Sequence, residues 1–220
     1  MAAHLDLEEQ EQLAEIKHFW AKYGNAITWV LIAVLGAYAA WNGWQYWQRK
    51  SALQAAALYD ELDRAAQAKD LDKVRRVWAD MQSSVARTSQ AQQGGLLAAK
   101  VLGESGNAAD ARSALQFVVE KSPDEGLVSV ARLRLAGLEM DAKAYDAAIK
   151  WLDVKWPVDF EGLAADRRGD AFMAQGKTDD ARTAYTKAYA SLPATQDYRR
   201  MIEAKLNALG VDPAQAAKQE

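Results

Sequence analysis

Between Lys22 and Arg49 the chain runs for 26 residues, Tyr23 to Gln48, without one charged side chain. At about 1.5 Å of rise per helical residue this stretch reaches ~39 Å, longer than the ~30 Å hydrocarbon core of a bilayer. A helix satisfies its own backbone polar groups where no water can, and residues 26–35 (AITWVLIAVL) give almost nothing polar to interrupt it. Aromatic rings stand where headgroups would meet acyl chains, with Trp29 toward one end and Trp41, Trp44, Tyr46 and Trp47 at the other. The pattern predicts a transmembrane helix over residues 23–48, held in the lipid bilayer by Trp29, Trp41, Trp44 and Trp47.

Two other readings use the same residues. A buried core helix of a soluble protein rarely runs this long without a charge. Ala37-Tyr38-Ala39 has the small-x-small form of a signal-peptide cleavage site, but signal peptides open on a short basic segment, whereas an acidic leader precedes this stretch and aromatic residues continue beyond the cut.

The leader, residues 1–22, sets Asp6, Glu8, Glu9, Glu11 and Glu15 against Lys17 and Lys22. Its Leu13, Ile16, Phe19, Trp20 and Tyr23 recur at helical steps opposite Glu11, Glu15 and Lys22, which suits either an amphipathic helix on the membrane face or an extension of the membrane helix. Charge does not orient the span: Lys17 and Lys22 on one side oppose Arg49, Lys50 and Arg64 on the other. Residues 51–220 carry 23 basic and 25 acidic groups with no basic run, so no nucleic-acid surface is advertised. Cysteine is absent, which removes disulfides, thiolate metal sites and cysteine nucleophiles together.

The remainder, residues 49–209, reads as all-α, and aligned against itself it repeats every 33 to 37 residues. The clearest copy carries Gly169, Phe172, Gly176, Ala181, Tyr185, Ala188 and Pro193 at the offsets of a tetratricopeptide motif. Gly169 and Ala181 are small so that two antiparallel helices approach closely, with Phe172 and Tyr185 beside the contact. Gly176 supplies a positive φ at the end of the first helix, Asp179 or Asp180 is placed to cap the second, and Pro193 stops it. Earlier copies show Leu135-Ala136, Tyr145, Ala148 and Leu152, then Ala99, Leu102, Gly106, Ala111, Leu115, Val118 and Pro123. A further shift reaches Leu62, Val74 and Trp78, without the small residues. The expectation is an α-solenoid of three clear repeats and one degenerate repeat, with Ala99, Ala111, Ala136, Ala148, Gly169 and Ala181 at the packing positions. A capping helix over Thr195–Leu209 and a disordered tail over 210–220 close the chain. The irregular junction Trp156-Pro157-Val158-Asp159-Phe160 sets Trp156 and Phe160 either to fill the gap between two hairpins or to meet a partner.

Catalytic chemistry has little to draw on. The two histidines, His4 and His18, both precede the span, so no metal site is expected, and no phosphate loop, dinucleotide glycine pattern or nucleophile elbow is present. No cofactor is expected and the chain reads as a non-enzyme. Arg168-Gly169-Asp170 spells an adhesion tripeptide, but its glycine occupies a helix-packing position.

A leader rich in Glu and Gln, then Lys17, Phe19-Trp20 and Tyr23-Gly24-Asn25, one span ending Trp44-Gln45-Tyr46-Trp47, and a repeat domain opening on Ala56 and Leu58-Tyr59 follow one another in an order that resembles the YfgM-type family. Those proteins are ancillary subunits of the SecYEG translocon in Gram-negative bacteria. The closing repeat, Arg168-Gly169-Asp170-Ala171 through Gln175-Gly176-Lys177 to Ala181-Arg182, is similar to that family as well. The resemblance implies an inner-membrane protein with its N-terminus in the cytoplasm and its repeats in the periplasm, associated with the translocon and with a PpiD-type periplasmic chaperone. The function expected is a tethered scaffold whose helical groove holds a chaperone or a translocating polypeptide. Ala52–Ala68 and Gly95–Leu102 would line the inner wall, with Tyr59 as an exposed anchor or as packing between hairpins. Two alternatives carry different partners: a regulator whose leader sequesters a soluble signalling protein, or an assembly factor for an envelope complex.

Overall fold

The computed structural model describes residues 7–193 and 195–213, and every regular element among them is helical. Its first helix, α1 (Leu7–Gln67), carries the leader, the charge-free stretch and the first helix of the repeats in one run. The expected boundaries at 22/23 and 48/49 therefore fall inside a helix, and the leader from Leu7 onward continues the apolar stretch as the same element. Residues 1–6 lie outside the described residues. By their internal contacts, the chain divides after Ser51 into two units.

The first unit holds α1 as far as Ser51, the leader and the charge-free stretch together. It is long and apolar enough to cross a membrane, and its large side chains face outward: Trp29, Leu31, Ile32, Leu35, Trp41 and Trp47 are all more than half exposed. Such a surface is unfavourable in water along its whole length and is at home among acyl chains.

The second unit is a series of antiparallel hairpins. The end of α1 is followed by α2 (Leu71–Ser84), α3 (Ser89–Glu104) by α4 (Ala108–Lys121), α5 (Glu125–Asp141) by α6 (Tyr145–Leu152), and α7 (Val158–Ala174) by α8 (Thr178–Ser191). The helix α9 (Tyr198–Ala208) covers the last hairpin with Ile202 and Leu206, both fully buried.

The repeat is written most plainly in the turns. Lys69, Gly106, Lys143, Gly176 and Gly210 all take a left-handed φ, between 54° and 82°. After each of them the next backbone N–H reaches back over the helix end to a carbonyl: Asp70 to Ala65, Asn107 to Leu102, Ala144 to Glu139, Lys177 to Phe172 and Val211 to Leu206, at 2.8 to 3.0 Å. This closure satisfies carbonyls that a helix end leaves open. Where lysine replaces glycine the conformation is strained, and the turn is held by the helices on either side.

Side chains cap the starts of α2, α3 and α5. Asp70 receives the Lys73 N–H, Thr88 that of Ala91, and Asp124 those of Gly126 and Leu127. Because Thr88 caps it, α3 begins at Ser89, ahead of the Gly95 start expected for the inner wall. The cap expected of Asp179 or Asp180 is not made: Lys177 is the N-cap of α8, both acids lie in its first turn, and Asp179 pairs with Arg182 at 2.7 Å. Both acids stand inside the helix, past the N-cap position from which a side chain receives the first free N–H groups.

Ala111, Ala136, Ala148 and Ala181 are fully buried and Ala99 nearly so, while the degenerate first hairpin buries Leu62, Val74 and Trp78 instead. At Gly169 a Cβ would lie 2.4 Å from the Tyr185 ring, so α7 and α8 meet at a distance that glycine alone permits. The disordered tail does not begin at 210, because Gly210 closes α9 and Val211 packs onto the same core as Ile202 and Leu206. The rest of that expected tail, residues 214–220, lies outside the described residues.

Candidate functional site

A groove of about 710 Å³ opens across α3, α5 and α7, the first helices of three successive hairpins. These helices share a face because each hairpin repeats the same close contact between its two helices, so their outer surfaces fall into one row. Ala99 and Leu115 lie in its floor, and Val130, Leu133, Leu138, Phe160 and Leu163 give it apolar walls. Charge enters from Lys100, Arg134 and Arg167 along the helices and from Glu104 and Asp141 at the ends of α3 and α5. Arg134 donates to the Leu96 carbonyl at 2.9 Å, which ties α5 to α3. Long helical stems and guanidinium heads beside aliphatic walls suit the recognition of a polypeptide better than the enclosure of a small molecule.

The expected contact residues are distributed unevenly about this groove. Phe160 lines it. Trp156 does not: its indole N–H donates to the Leu152 carbonyl at 2.9 Å and its ring packs on the cluster of Ala136, Ala148, Leu152 and Ala164 between the third and fourth hairpins. Tyr59 is half-buried against the core of the first hairpins, beside Leu58 and Ala66, and is absent from the groove lining. Trp29, Trp41, Trp44 and Trp47 are exposed on α1, with Trp44 and Trp47 ring centroids 5.6 Å apart.

A second polar constellation lies under α9. Lys205 Nζ sits 2.6 Å from both Asp166 and Asp170 on α7. The Tyr198 hydroxyl donates to Asp166 at 2.5 Å and the Tyr185 hydroxyl to Asp170 at 2.7 Å, while the Lys205 ammonium lies 5.1 Å over the Tyr185 ring. Asp166 is only 2% exposed, so its charge depends on these partners. Burial first, and then the hydrogen bond to Asp170, push the Tyr185 phenol well above its ordinary value; burial and then Asp166 do the same to Tyr198. A phenol raised by folding gives stability that is whole below the unfolded value of ~10 and is lost above it, as the unfolded chain ionises first. Melting of the full chain in mild detergent, followed by circular dichroism, is therefore expected to stay level up to about pH 10 and to fall beyond it. Tyr185→Phe and Tyr198→Phe together should flatten that fall, and an unchanged slope in the double variant would separate it from these rings.

Neither the groove cations nor the Lys205 network was anticipated. The signal for the first was present in part, since Arg134 and Arg167 stand 33 residues apart, at equivalent places in successive repeats. The second announces itself only as two acids four residues apart on a helix otherwise rich in alanine and glycine.

Among the described residues, one exposed apolar helix long enough to cross a membrane, joined in a single chain to four hairpins and a grooved face, fits a single-span helical-repeat protein. The chain belongs to the tetratricopeptide repeat-like domain family, whose model matches residues 17–211. Its curated relatives carry the name ancillary SecYEG translocon subunit. The protein of Neisseria gonorrhoeae (strain ATCC 700825 / FA 1090) is 28% identical over 213 residues, covering 95% of this chain and 100% of the relative. That of Escherichia coli (strain K12) is 27% identical, covering 92% of this chain and 97% of the relative. The Haemophilus influenzae (strain ATCC 51907 / DSM 11121 / KW20 / Rd) protein is 27% identical as well, covering 92% and 98%.

Proposed function

We propose that this chain is a non-catalytic, membrane-tethered scaffold of the protein-secretion translocon. The observation that carries the reading is similarity along nearly the whole length of proteins named ancillary SecYEG translocon subunits, membrane helix included. In this reading residues 23–48 cross the inner membrane, the leader 1–22 lies in the cytoplasm, and the repeat domain 49–209 lies in the periplasm. Trp29, Trp41, Trp44 and Trp47 fix the depth of the span through their preference for the interface. Ala99, Ala111, Ala136, Ala148, Gly169 and Ala181 let paired helices approach, so that the groove keeps its shape.

The mechanism is one of proximity. A groove tethered beside a pore meets emerging polypeptide, or a PpiD-type chaperone, at an effective concentration set by its tether, so modest contacts suffice. Phe160 belongs to the groove lining in this scheme, whereas Tyr59 and Trp156 serve the packing of the hairpins around it.

The test uses the full chain in its own membrane. Photoreactive residues placed singly at Trp41, Trp44 and Trp47 are expected to give adducts with translocon subunits, and the protein is expected to stay with membranes in alkaline carbonate. Extraction by carbonate, or adducts with lipid alone at all three positions, would end this reading.

A further inference from the structure

On the leader side of the span the chain keeps an apolar face beyond the reach of acyl chains. From Tyr23 back to Leu7 the helix α1 runs on without a break, which sets Leu13 about 15 Å out from the start of the charge-free stretch. Leu13, Ile16, Trp20 and Tyr23 recur at three- and four-residue steps with Phe19 beside them, and all five are exposed.

Charge borders this face unevenly. Glu11 and Glu15, one turn apart, follow one edge next to Phe19, and Lys17 follows the other. Both acids are exposed, and among the described residues neither forms an ion pair. Like charges at this spacing weaken a lone helix, and the dipole that favours acids fades within the first turn, before Glu11. Helix stability therefore does not account for the pair. A hollow of about 390 Å³ runs along the same edge, lined by Glu15, His18, Phe19, Lys22 and Tyr23, with the Phe19 and Tyr23 ring centroids 5.1 Å apart. Lys22 stands two turns from Glu15, toward the span, and lies 5.3 Å over the Tyr23 ring, which leaves the Glu15 end to an incoming cation.

Three coverings compete for this face, and charge separates them. Anionic headgroups repel the two acids. A second copy standing in parallel sets a single lysine, Lys17, against both of them. A basic protein segment matches the pair, and membrane proteins concentrate Lys and Arg in the short cytoplasmic segments beside their spans.

We infer that the leader face of α1 docks on the basic, cytoplasm-facing segment beside a membrane helix of an integral-membrane partner. Leu13, Ile16 and Trp20 meet the apolar residues of that segment, and Glu11 and Glu15 meet its lysines or arginines. This rests on the cytoplasmic placement of the leader in the scaffold reading and adds a contact on the other side of the membrane from the groove.

The chain has no cysteine, so an introduced thiol reports on one place. The full chain carries a donor dye at Ala21→Cys, which faces away from the apolar residues, and is reconstituted in phosphatidylcholine vesicles with synthetic single-span peptides bearing an acceptor. One peptide ends in a helical segment of leucines bordered by four lysines; a second has glutamines in their place, and a third has glutamates. Energy transfer is expected to show the lysine peptide associating about tenfold more tightly than the glutamine one, with salt narrowing the gap. Glu11→Lys with Glu15→Lys should reverse the order in favour of the glutamate peptide, and Ile16→Ser with Trp20→Ser should lose association while the helical content stays unchanged. In the chain alone a thiol at Ile16→Cys should react freely with a water-soluble maleimide, and the lysine peptide should slow it. Equal association of the three peptides, or a reversed-charge variant that still prefers lysines, would overturn the assignment. So would tighter transfer between two labelled copies of the chain, which favours a second copy, or an Ile16→Cys thiol shielded without peptide, which favours lipid. The placement beneath the assignment is checked separately in intact cells with a maleimide that does not cross the membrane. An Ala21→Cys thiol labelled from outside sinks the cytoplasmic placement whatever the vesicles show, and charge-blind association with a thiol protected in cells sinks the docking face alone.

Discussion

Lys205→Met is expected to destabilise the last hairpin and its covering helix by about 3 kcal/mol, at the lower end of what removing one partner of a buried ion pair costs. The lysine holds two carboxylates, Asp166 and Asp170, at 2.6 Å each. Methionine keeps most of the stem's packing and removes the charge. Asp166, 2% exposed, is then left with the Tyr198 hydroxyl as its remaining donor and with Asp170 as an unscreened neighbour. The lysine side chain itself is 26% exposed, so water can partly replace it, which places the loss below the extreme. Asp166→Asn in the same chain should recover much of the loss, because the amide oxygen still accepts from Tyr198 and no buried charge remains. Hydrogen exchange of the α9 amides in the full chain would show the change first, since a terminal element opens ahead of the repeats. A loss below about 1 kcal/mol would mean that the network is solvated and holds α9 no more strongly than its apolar residues do.

Most of the architecture was legible because its causes are local. A charge-free stretch longer than a bilayer, small residues recurring at one repeat and the turn glycines Gly106 and Gly176 are each visible without tertiary information. The left-handed lysines at 69 and 143 show the limit of that reading, since composition gives no hint that lysine stands where glycine serves elsewhere. What spacing could not supply was depth. Asp166 and Lys205 lie 39 residues apart, and only the crossing of α7 with α9 makes one the partner of the other. The groove was legible by half: of the two segments expected for its inner wall, Gly95–Leu102 supplies Ala99 and Lys100, whereas Ala52–Ala68 supplies none of the lining, and the first repeat places Leu62 and Val74 where the others place small residues. The concave row begins at α3.

The sequence position of Gly169 carries the largest steric consequence in the domain. Gly169→Ala is expected to cost about 2–3 kcal/mol net, although alanine is the better helix former by ~1 kcal/mol. The new methyl would lie 2.4 Å from one Tyr185 ring carbon and 2.5 Å from the next, well inside contact distance. The ring has nowhere to retreat. It is 3% exposed, its hydroxyl is held by Asp170, and the Lys205 ammonium lies over its face. Either α7 and α8 separate and open a core that is packed to near-crystalline density, or Tyr185 swings out and Asp170 loses a donor. Gly103→Ala provides the control. Its Cβ would meet only the Ala111 methyl at 3.5 Å, an ordinary contact, so that variant should be stabilised by about 0.5–1 kcal/mol through its unfolded state. Tyr185→Leu should make Gly169→Ala nearly neutral when the two are combined, because the shorter side chain vacates the volume the methyl needs. Thermal melting of the four full-length variants decides the matter. If Gly169→Ala melts with the wild type, the close approach of α7 and α8 is not what glycine is there to permit.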